Sequence, residues 1–278
     1  LIIVLDGKVV LVTGATDGLG RALAADLVRS GATVLVHGRD PRRIADTAGH
    51  LTAAGASAPA GTASRVRSYQ ADLSSLAGVR SLAGEVIAAE PRLDALVNNA
   101  GIGHAVPGDG ARQESADGYE LRFAVNYLAG YALTRLLLPL LTASAPARVV
   151  NVASLGQQAI DFDDVMLTRD YDGFRAYRQS KLAQILFTFD LADEIAGTGV
   201  TVSSLHPATF MPTKIVAGDP ISTIAQGVAA TFRQVTAPAE QVSGRFFNGP
   251  DEARANDQAY DAEARRRLRE LSRELTGL

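Results

Sequence analysis

Tyr177 and Lys181 are the two side chains whose types and spacing most directly suggest chemistry. They stand four positions apart within residues 175–192, and on a helix that spacing stacks them on one side. An ammonium held beside a phenol favours the phenolate, lowering a pKa that otherwise lies near ~10. Tyr177 would then act as an acid or base close to neutral pH. Such a pair also occurs on ordinary solvated helix faces, so its meaning depends on what the chain places around it. Leu182, Ile185, Leu186, Phe189 and Leu191 recur near helical spacing, which predicts a helix with one buried face.

Ser154 is a third candidate. It ends the run 148–153, which reads as a strand, and reactive residues of parallel α/β sheets gather at the carboxyl ends of strands. The segment 155–173 then holds Asp161, Asp163, Asp164, Asp170 and Asp172. Their spacing matches no calcium-binding loop, so a solvated surface loop is expected and no metal site.

The elements that must position these residues begin at 8–13, a β-branched run without alternation, as in a strand buried on both faces. Thr13-Gly14-Ala15-Thr16-Asp17-Gly18-Leu19-Gly20 follows, and then a helical stretch at 21–29. Three glycines between a strand and a helix allow a tight turn and bring a pyrophosphate close to the helix N-terminus. The spacing is Gly-x3-Gly-x-Gly, not Gly-x-Gly-x-x-Gly. With a strand before it and a helix after it, nucleotide binding is expected over an ordinary glycine-rich loop.

Residues 32–37 read as the second strand, where an NAD-preferring site would end in an acidic residue. Here the chain runs His37-Gly38-Arg39-Asp40-Pro41-Arg42-Arg43. Asp40-Pro41 reads as an N-cap with proline at the first helical position. Arg39, supported by Arg42 or Arg43, is then free to pair with a 2′-phosphate. Asp17 adds opposing charge nearby, yet the balance favours NADP over NAD.

Further helices are expected at 44–54 and 76–89 and strands at 65–70 and 93–97, with a small-residue loop at 55–64. Asp72, after the third strand, suits either an adenine amino group or a helix N-cap. Asn98-Asn99-Ala100-Gly101 ends the fourth strand. Its amides can tie neighbouring strands together while the small residues leave room for a cofactor. A loop at 101–117 leads to a long helix at 119–141 containing Asn126, which needs a partner if buried. After a strand at 200–205, His206-Pro207-Ala208-Thr209-Phe210-Met211-Pro212-Thr213 opens a lid around 208–220. A helix at 221–235, a short strand at 244–247 and a charged helix at 252–275 complete the chain.

Composition narrows the function. The chain has 278 residues, 47% hydrophobic and 21% charged, which suits one α/β domain over 1–278. A net charge of −3, with Arg265, Arg266 and Arg267 the one basic run, gives no reason to expect nucleic acid. The absence of cysteine excludes disulfides, thiolate catalysis and cysteine-bound zinc. His37, His50, His104 and His206 are scattered without metal-ligand spacing and read as surface or strand-end residues. No run approaches the ~18 apolar residues of a membrane span and no signal peptide is visible. A soluble cytoplasmic protein is expected.

Taken together, Thr13-Gly14-x3-Gly18-x-Gly20, Asn98-Asn99-Ala100-Gly101, Asn126, Ser154 and Tyr177-x3-Lys181 resemble the short-chain dehydrogenase/reductase family, in that family's order. Residues 176–187, His37-Gly38-Arg39-Asp40, Leu205-His206-Pro207 and the closing Leu275-Thr276-Gly277-Leu278 are similar to its retinol-dehydrogenase-like branch. The resemblance implies a single Rossmann-type, doubly wound α/β domain with about seven parallel strands flanked by helices. It implies hydride transfer by a nicotinamide, with Asn126, Ser154, Tyr177 and Lys181 as the catalytic set. Tyr177 would exchange the proton, Ser154 orient the carbonyl, Lys181 hold the ribose and Asn126 anchor a water. The cofactor would rest on Gly14, Thr16, Asp17, Gly18, Leu19, Gly20, Arg39, Asp72, Leu73, Asn99, Ala100, Gly101, Tyr177, Lys181, Pro207 and Thr209.

Where many relatives have Pro-Gly, this chain has Pro207-Ala208, so either Thr209 or Thr213 could face the carboxamide. The substrate expected is a small lipophilic ketone, aldehyde or alcohol, in a pocket lined by Leu155, Gln157, Phe162, Met166, Phe210 and Met211. The helices 119–141 and 175–196 are apolar enough to build a homodimer or homotetramer, although burial within one subunit would also explain them. Two other functions fit the same motifs: a non-catalytic NADP-binding redox sensor, and a redox-neutral epimerase or dehydratase.

Overall fold

The computed structural model describes residues 4–58, 65–105, 110–213, 215 and 219–278. Residues 1–3 of the apolar N-terminal run, 59–64 of the small-residue loop, 106–109 of the loop after the fourth strand, and 214 and 216–218 of the lid lie outside them.

Seven strands run parallel in one sheet: β1 (Val9–Val12), β2 (Thr33–Gly38), β3 (Arg65–Gln70), β4 (Ala95–Asn98), β5 (Ala147–Val152), β6 (Val200–His206) and β7 (Phe246–Asn248). A two-residue β8 (Asp251–Glu252) pairs antiparallel with β7 and was not visible as a strand in the sequence. The order is β3-β2-β1-β4-β5-β6-β7-β8. Strand order reverses between β1 and β4, and the crevice at their carboxyl ends is where ligands of such sheets bind. Both the glycine loop after β1 and the Asn98–Asn99 turn after β4 open onto it.

Helices cover both faces, which is why the strands read as continuous apolar runs. On one face α1 (Gly18–Arg29) packs against α2 (Pro41–Gly55) and α6 (Ile224–Thr236). The other face carries α3 (Leu76–Ala89), α4 (Ala129–Ala143), α5 (Gly173–Glu194) and, on α5, α8 (Ala262–Thr276). A short α7 (Ala239–Val242) precedes β7. The caps follow side-chain chemistry. Asp40 accepts from Arg42 and Arg43 N with Pro41 at the first position, and Thr223 and Gln226 form a capping box for α6.

Several boundaries differ from the expected ones. The helix expected at 119–141 begins at residue 121, and its Phe123–Leu128 segment is π-helical before α4 continues. The terminal helix expected at 252–275 is β8, a 3₁₀ turn (Asp257–Tyr260) and then α8. Asn256 and Asp261 cap these pieces separately, breaking the run. The helix starting at 221 begins instead at Ile224, where the capping box fixes it.

The one-faced helix expected around Tyr177 is buried on all sides from Gln179 to Phe189, because β6, the π-helical segment and α8 all pack on α5. α8 therefore covers part of the two helices read as a subunit interface. Tyr127 Oη and Ser272 Oγ lie 2.7 Å apart, Tyr119 Oη donates to Leu275 O (3.0 Å), and Arg269 pairs with Asp190 (2.6 Å). Phe123–Ala143 is, against the sequence reading, long and apolar enough to cross a membrane by length and composition. It is nonetheless a core helix here, 61% buried in its most apolar window.

Candidate active site

Thr13 ties the two sides of the crevice together. Its hydroxyl accepts from Asn99 N and Ala100 N, each at 3.0 Å, and donates to Val97 O. Asn99 Nδ2 returns to Thr13 O at 2.8 Å and Gly14 O at 3.3 Å. This close docking needs two of the glycines. Gly14 has φ of +64° and lies where a Cβ would come 2.9 Å from Ala100 Cα. A Cβ on Gly20 would collide with Asn99 Nδ2 and the Gly14 carbonyl. Thr16, Asp17, Gly18 and Leu19 complete the loop at the start of α1, where helix N–H groups favour an anion.

At the adenosine end, His37 is a buried neutral group, not a surface one. Its Nδ1 accepts from Gly14 N (3.2 Å) and its Nε2 donates to Ala71 O (3.2 Å), so β2 holds the glycine loop to the end of β3. Burial pushes its pKa down to about 4.

Asp17 caps α1 through Gly18 N (2.9 Å) and pairs with Arg43 at 2.8 Å. Its charge is thereby neutralised, and Arg43, which also donates to Thr16 O, is occupied rather than free to support Arg39. Arg39 is exposed beside the loop, with its backbone carbonyl accepting from Gln70. Asp72 is not the N-cap of α3, which is Ser75. Its carboxylate instead accepts from Ser74 N and Oγ, forming a turn just before Leu73 and leaving it at the crevice edge.

The four residues expected to carry the chemistry converge at the ends of β4 and β5. Ser154 is buried, accepts from Gly156 N (3.0 Å), and stands beside Tyr177: a Cβ on Gly156 would lie 3.4 Å from Ser154 Oγ and 3.8 Å from Tyr177 Cε1. Lys181, 4% exposed, donates to Val152 O (2.8 Å) and Gln184 Oε1 (3.0 Å), and its Nζ lies 5.8 Å from the Tyr177 ring centroid. Asn126 sits in the π-helical segment, a feature frequent at functional sites. Its amide clasps Ile102, accepting from the N–H (2.8 Å) and donating to the carbonyl (3.1 Å), and also donates to Ser180 Oγ (2.9 Å). A Cβ on Gly101 would lie 3.2 Å from Asn126 Oδ1 and 3.6 Å from Lys181 Nζ. Asn126, Gly101 and Lys181 thus share one wall of the crevice.

The electrostatics depart from the expected ones. Burial raises the Tyr177 pKa above its ordinary value, with the neighbouring Ser154 hydroxyl opposing. Desolvation brings Lys181 down to about 7. The lysine is directed at a carbonyl and an amide oxygen instead of at the phenol, so it does not overcome the desolvation of Tyr177.

Two residues of the segment after β6 reach both loops. Thr213 borders Gly18, and Ile215 O borders Gly103. His206, buried and lowered to about 4 mainly by desolvation, engages Thr209 Oγ1 at 3.0 Å. Thr213 is therefore the threonine nearer the glycine loop, while Pro207 and Thr209 stay near the end of β6. Of the residues expected in an apolar pocket, Leu155 and Phe210 are exposed. Phe162 and Met166 pack on the core beneath α5, and Met211 is buried against Gly227 of α6. Gln157 bridges Ser154 O and Asn256 N, fixing the loop after β5 to the C-terminal segment.

Four of the five aspartates of 155–173 serve as caps and ion-pair partners: Asp161 with Arg175, Asp163 with Arg267, Asp164 with Thr168 and Arg169, and Asp172 at the start of α5. Sequence reasoning missed Gln184 and also a fully buried Arg122. Arg122 donates to Gly103 O (3.0 Å), His104 O (2.6 Å) and Tyr171 Oη (2.7 Å), with the buried Glu120 3.6 Å away. An arginine inside an apolar helical run was the signal available for it.

A family model described as short chain dehydrogenase matches residues 8–220. Mouse retinol dehydrogenase 14 is 37% identical over 98% of this chain and 86% of its own length. Human retinol dehydrogenase 13 is 35% identical over 98% of this chain and 85% of its own. An uncharacterised protein from Mycobacterium paratuberculosis superposes with a TM-score of 0.77 at 30% identity, covering 99% of this chain and 96% of that one. The Pseudomonas aeruginosa RhlG/NADP active-site complex superposes with a TM-score of 0.70 at 29% identity, covering 89% and 96%. With its sheet order, glycine loop and converging Ser154, Tyr177 and Lys181, the chain belongs to the short-chain dehydrogenase family, in the branch of the retinol dehydrogenases, and is an NAD(P)-dependent oxidoreductase of alcohol or carbonyl groups.

Proposed function

We propose that the protein is an NADP(H)-dependent reductase of small lipophilic ketones or aldehydes, able to oxidise the matching alcohols. The observation that carries this reading is the convergence of Ser154 and Tyr177, which both border Gly156, beside Lys181 at the glycine-lined crevice. The crevice residues fit a dinucleotide, since Gly14 and Gly20 let the glycine loop dock closely on Asn99 and Ala100 at the start of α1, where helix N–H groups favour an anion. The nicotinamide, when bound, supplies or accepts the hydride.

The protein's own groups do the rest. Tyr177, with a pKa raised by burial, stays protonated at neutral pH and donates its proton to the forming alkoxide. Ser154 holds the carbonyl oxygen toward Tyr177 and stabilises the charge that develops there. Lys181 presents its ammonium to the ribose hydroxyls, and Asn126 braces the Ile102 turn beside it. Exposed Leu155, next to Ser154, and Phe210, in the segment after β6, suit an apolar substrate.

Preference for NADP rests on Arg39, exposed at the end of β2 with no acidic residue in the position that NAD would require. Arg39→Ala is expected to weaken NADPH about tenfold and leave NADH unchanged, the loss of one charge-assisted phosphate contact. Fluorescence titration of both cofactors measures this. Equal losses for the two would remove Arg39 from 2′-phosphate recognition.

A further inference from the structure

Lys181 is oriented by a residue one helical turn further on. Gln184 is 3% exposed, and its Oε1 accepts from Lys181 Nζ at 3.0 Å, while Val152 O accepts from the same nitrogen at 2.8 Å. We propose that Gln184 is a positioning residue: with the Val152 carbonyl it takes two of the three N–H bonds of Lys181 and leaves the third for the ribose. This rests on the assignment of the ribose to Lys181 made above.

An ammonium has three donors and no acceptor, so two fixed acceptors determine where the third bond points. A Cβ on Gly101 would lie 3.6 Å from Nζ, which places the ammonium at the wall of the cofactor crevice. Gln184 is itself held by a buried polar chain. Thr188 Oγ1 donates to Gln184 O (2.8 Å) and accepts from Asn151 Nδ2 (2.9 Å). Asn151 Oδ1 accepts from Asn98 Nδ2 at 2.9 Å, and Asn98 Nδ2 also reaches Thr134 Oγ1. The helix that carries Lys181 is thus fastened to β5 and β4 directly beneath the site.

Among the described residues, the groups facing Lys181 carry no negative charge to balance it. β5 offers the Val152 carbonyl, the π-helical segment the Asn126 amide, β6 His206, and its own helix Tyr177 and Gln184. His206 titrates near 4 and Tyr177 above its ordinary 10.0, whereas Lys181 lies at about 7. Lys181 is therefore the group of this site that changes charge around neutrality. Removing the Gln184 oxygen takes an acceptor from the cation and favours the neutral amine. A carboxylate in its place favours the cation.

The test is the pH dependence of NADPH binding, read from cofactor fluorescence, for the wild type, Gln184→Met and Gln184→Glu. Binding is expected to be tighter with Lys181 charged, so affinity falls as pH rises through its pKa. The midpoint of that fall should move down by about one pH unit in Gln184→Met, as for loss of one hydrogen bond to a charged group. In Gln184→Glu it should move up. Coincident midpoints, or shifts in the opposite sense, overturn the proposal, and lowered melting temperatures with unmoved midpoints show a merely structural role. If the wild type binds no NADPH, the functional reading fails and this proposal with it. Binding with unmoved midpoints defeats this proposal alone.

Discussion

Tyr177→Phe lowers kcat for carbonyl reduction about a thousandfold while NADPH still binds. The magnitude follows from removing a positioned general acid, which contributes between about 10² and 10⁴. Only the hydroxyl is lost, so the ring keeps its place beside Lys181, and Ser154 keeps its Gly156 contact. KM for the carbonyl should change little, because the lost interaction strengthens chiefly as charge builds on the substrate oxygen. Steady-state rates beside a fluorescence titration of NADPH check both halves. A mutant retaining even a tenth of the wild-type kcat would remove Tyr177 from proton transfer.

Arg122→Met produces the largest expected loss of stability. The guanidinium satisfies the Gly103 and His104 carbonyls and the Tyr171 hydroxyl, and it faces Glu120, which is also buried. Glu120 accepts from Tyr171 Oη (2.8 Å) and Phe123 N (2.7 Å). Methionine would leave that carboxylate enclosed without its counter-charge, at a cost of about 3–5 kcal/mol. In a chain of this size the melting temperature should fall by roughly 10 °C, with part recovered in Arg122→Met/Glu120→Gln. NADPH affinity should fall too, because the Gly101–His104 turn bordering the crevice loses its anchor. A change in melting temperature under about 2 °C would contradict this account.

Arg122 also shows where the sequence stops being legible. Its partners come from the loop after β4, the segment before α5 and its own helix, and only the fold brings them together. What could be read was local. Apolar runs locate the parallel strands, and Asp40-Pro41 announces the start of α2. The glycine loop and the two asparagines point to the same crevice because each follows a strand. Long-range burial could not be read. His37 and His206 do lie at strand ends, as they look in the sequence, and what could not be read is the burial whose desolvation makes them neutral structural links. The same desolvation reverses the expected direction for Tyr177. The pairing of Asp17 with Arg43 depends on α2 folding back over the glycine loop. α8 lies over α5 through contacts spread across the whole chain, so part of the apolar surface that looks suited to a subunit interface is covered within the subunit.

Reduction, redox sensing and redox-neutral isomerisation are separated most directly by one stoichiometry. The protein would be incubated with NADPH and a panel of lipophilic ketones and long-chain aldehydes, with oxidised cofactor and product alcohol both quantified. One NADPH consumed for each alcohol formed is the result expected of a reductase. Tight NADPH binding without consumption across the panel, or an isomerised or dehydrated product formed without net loss of NADPH, would contradict it.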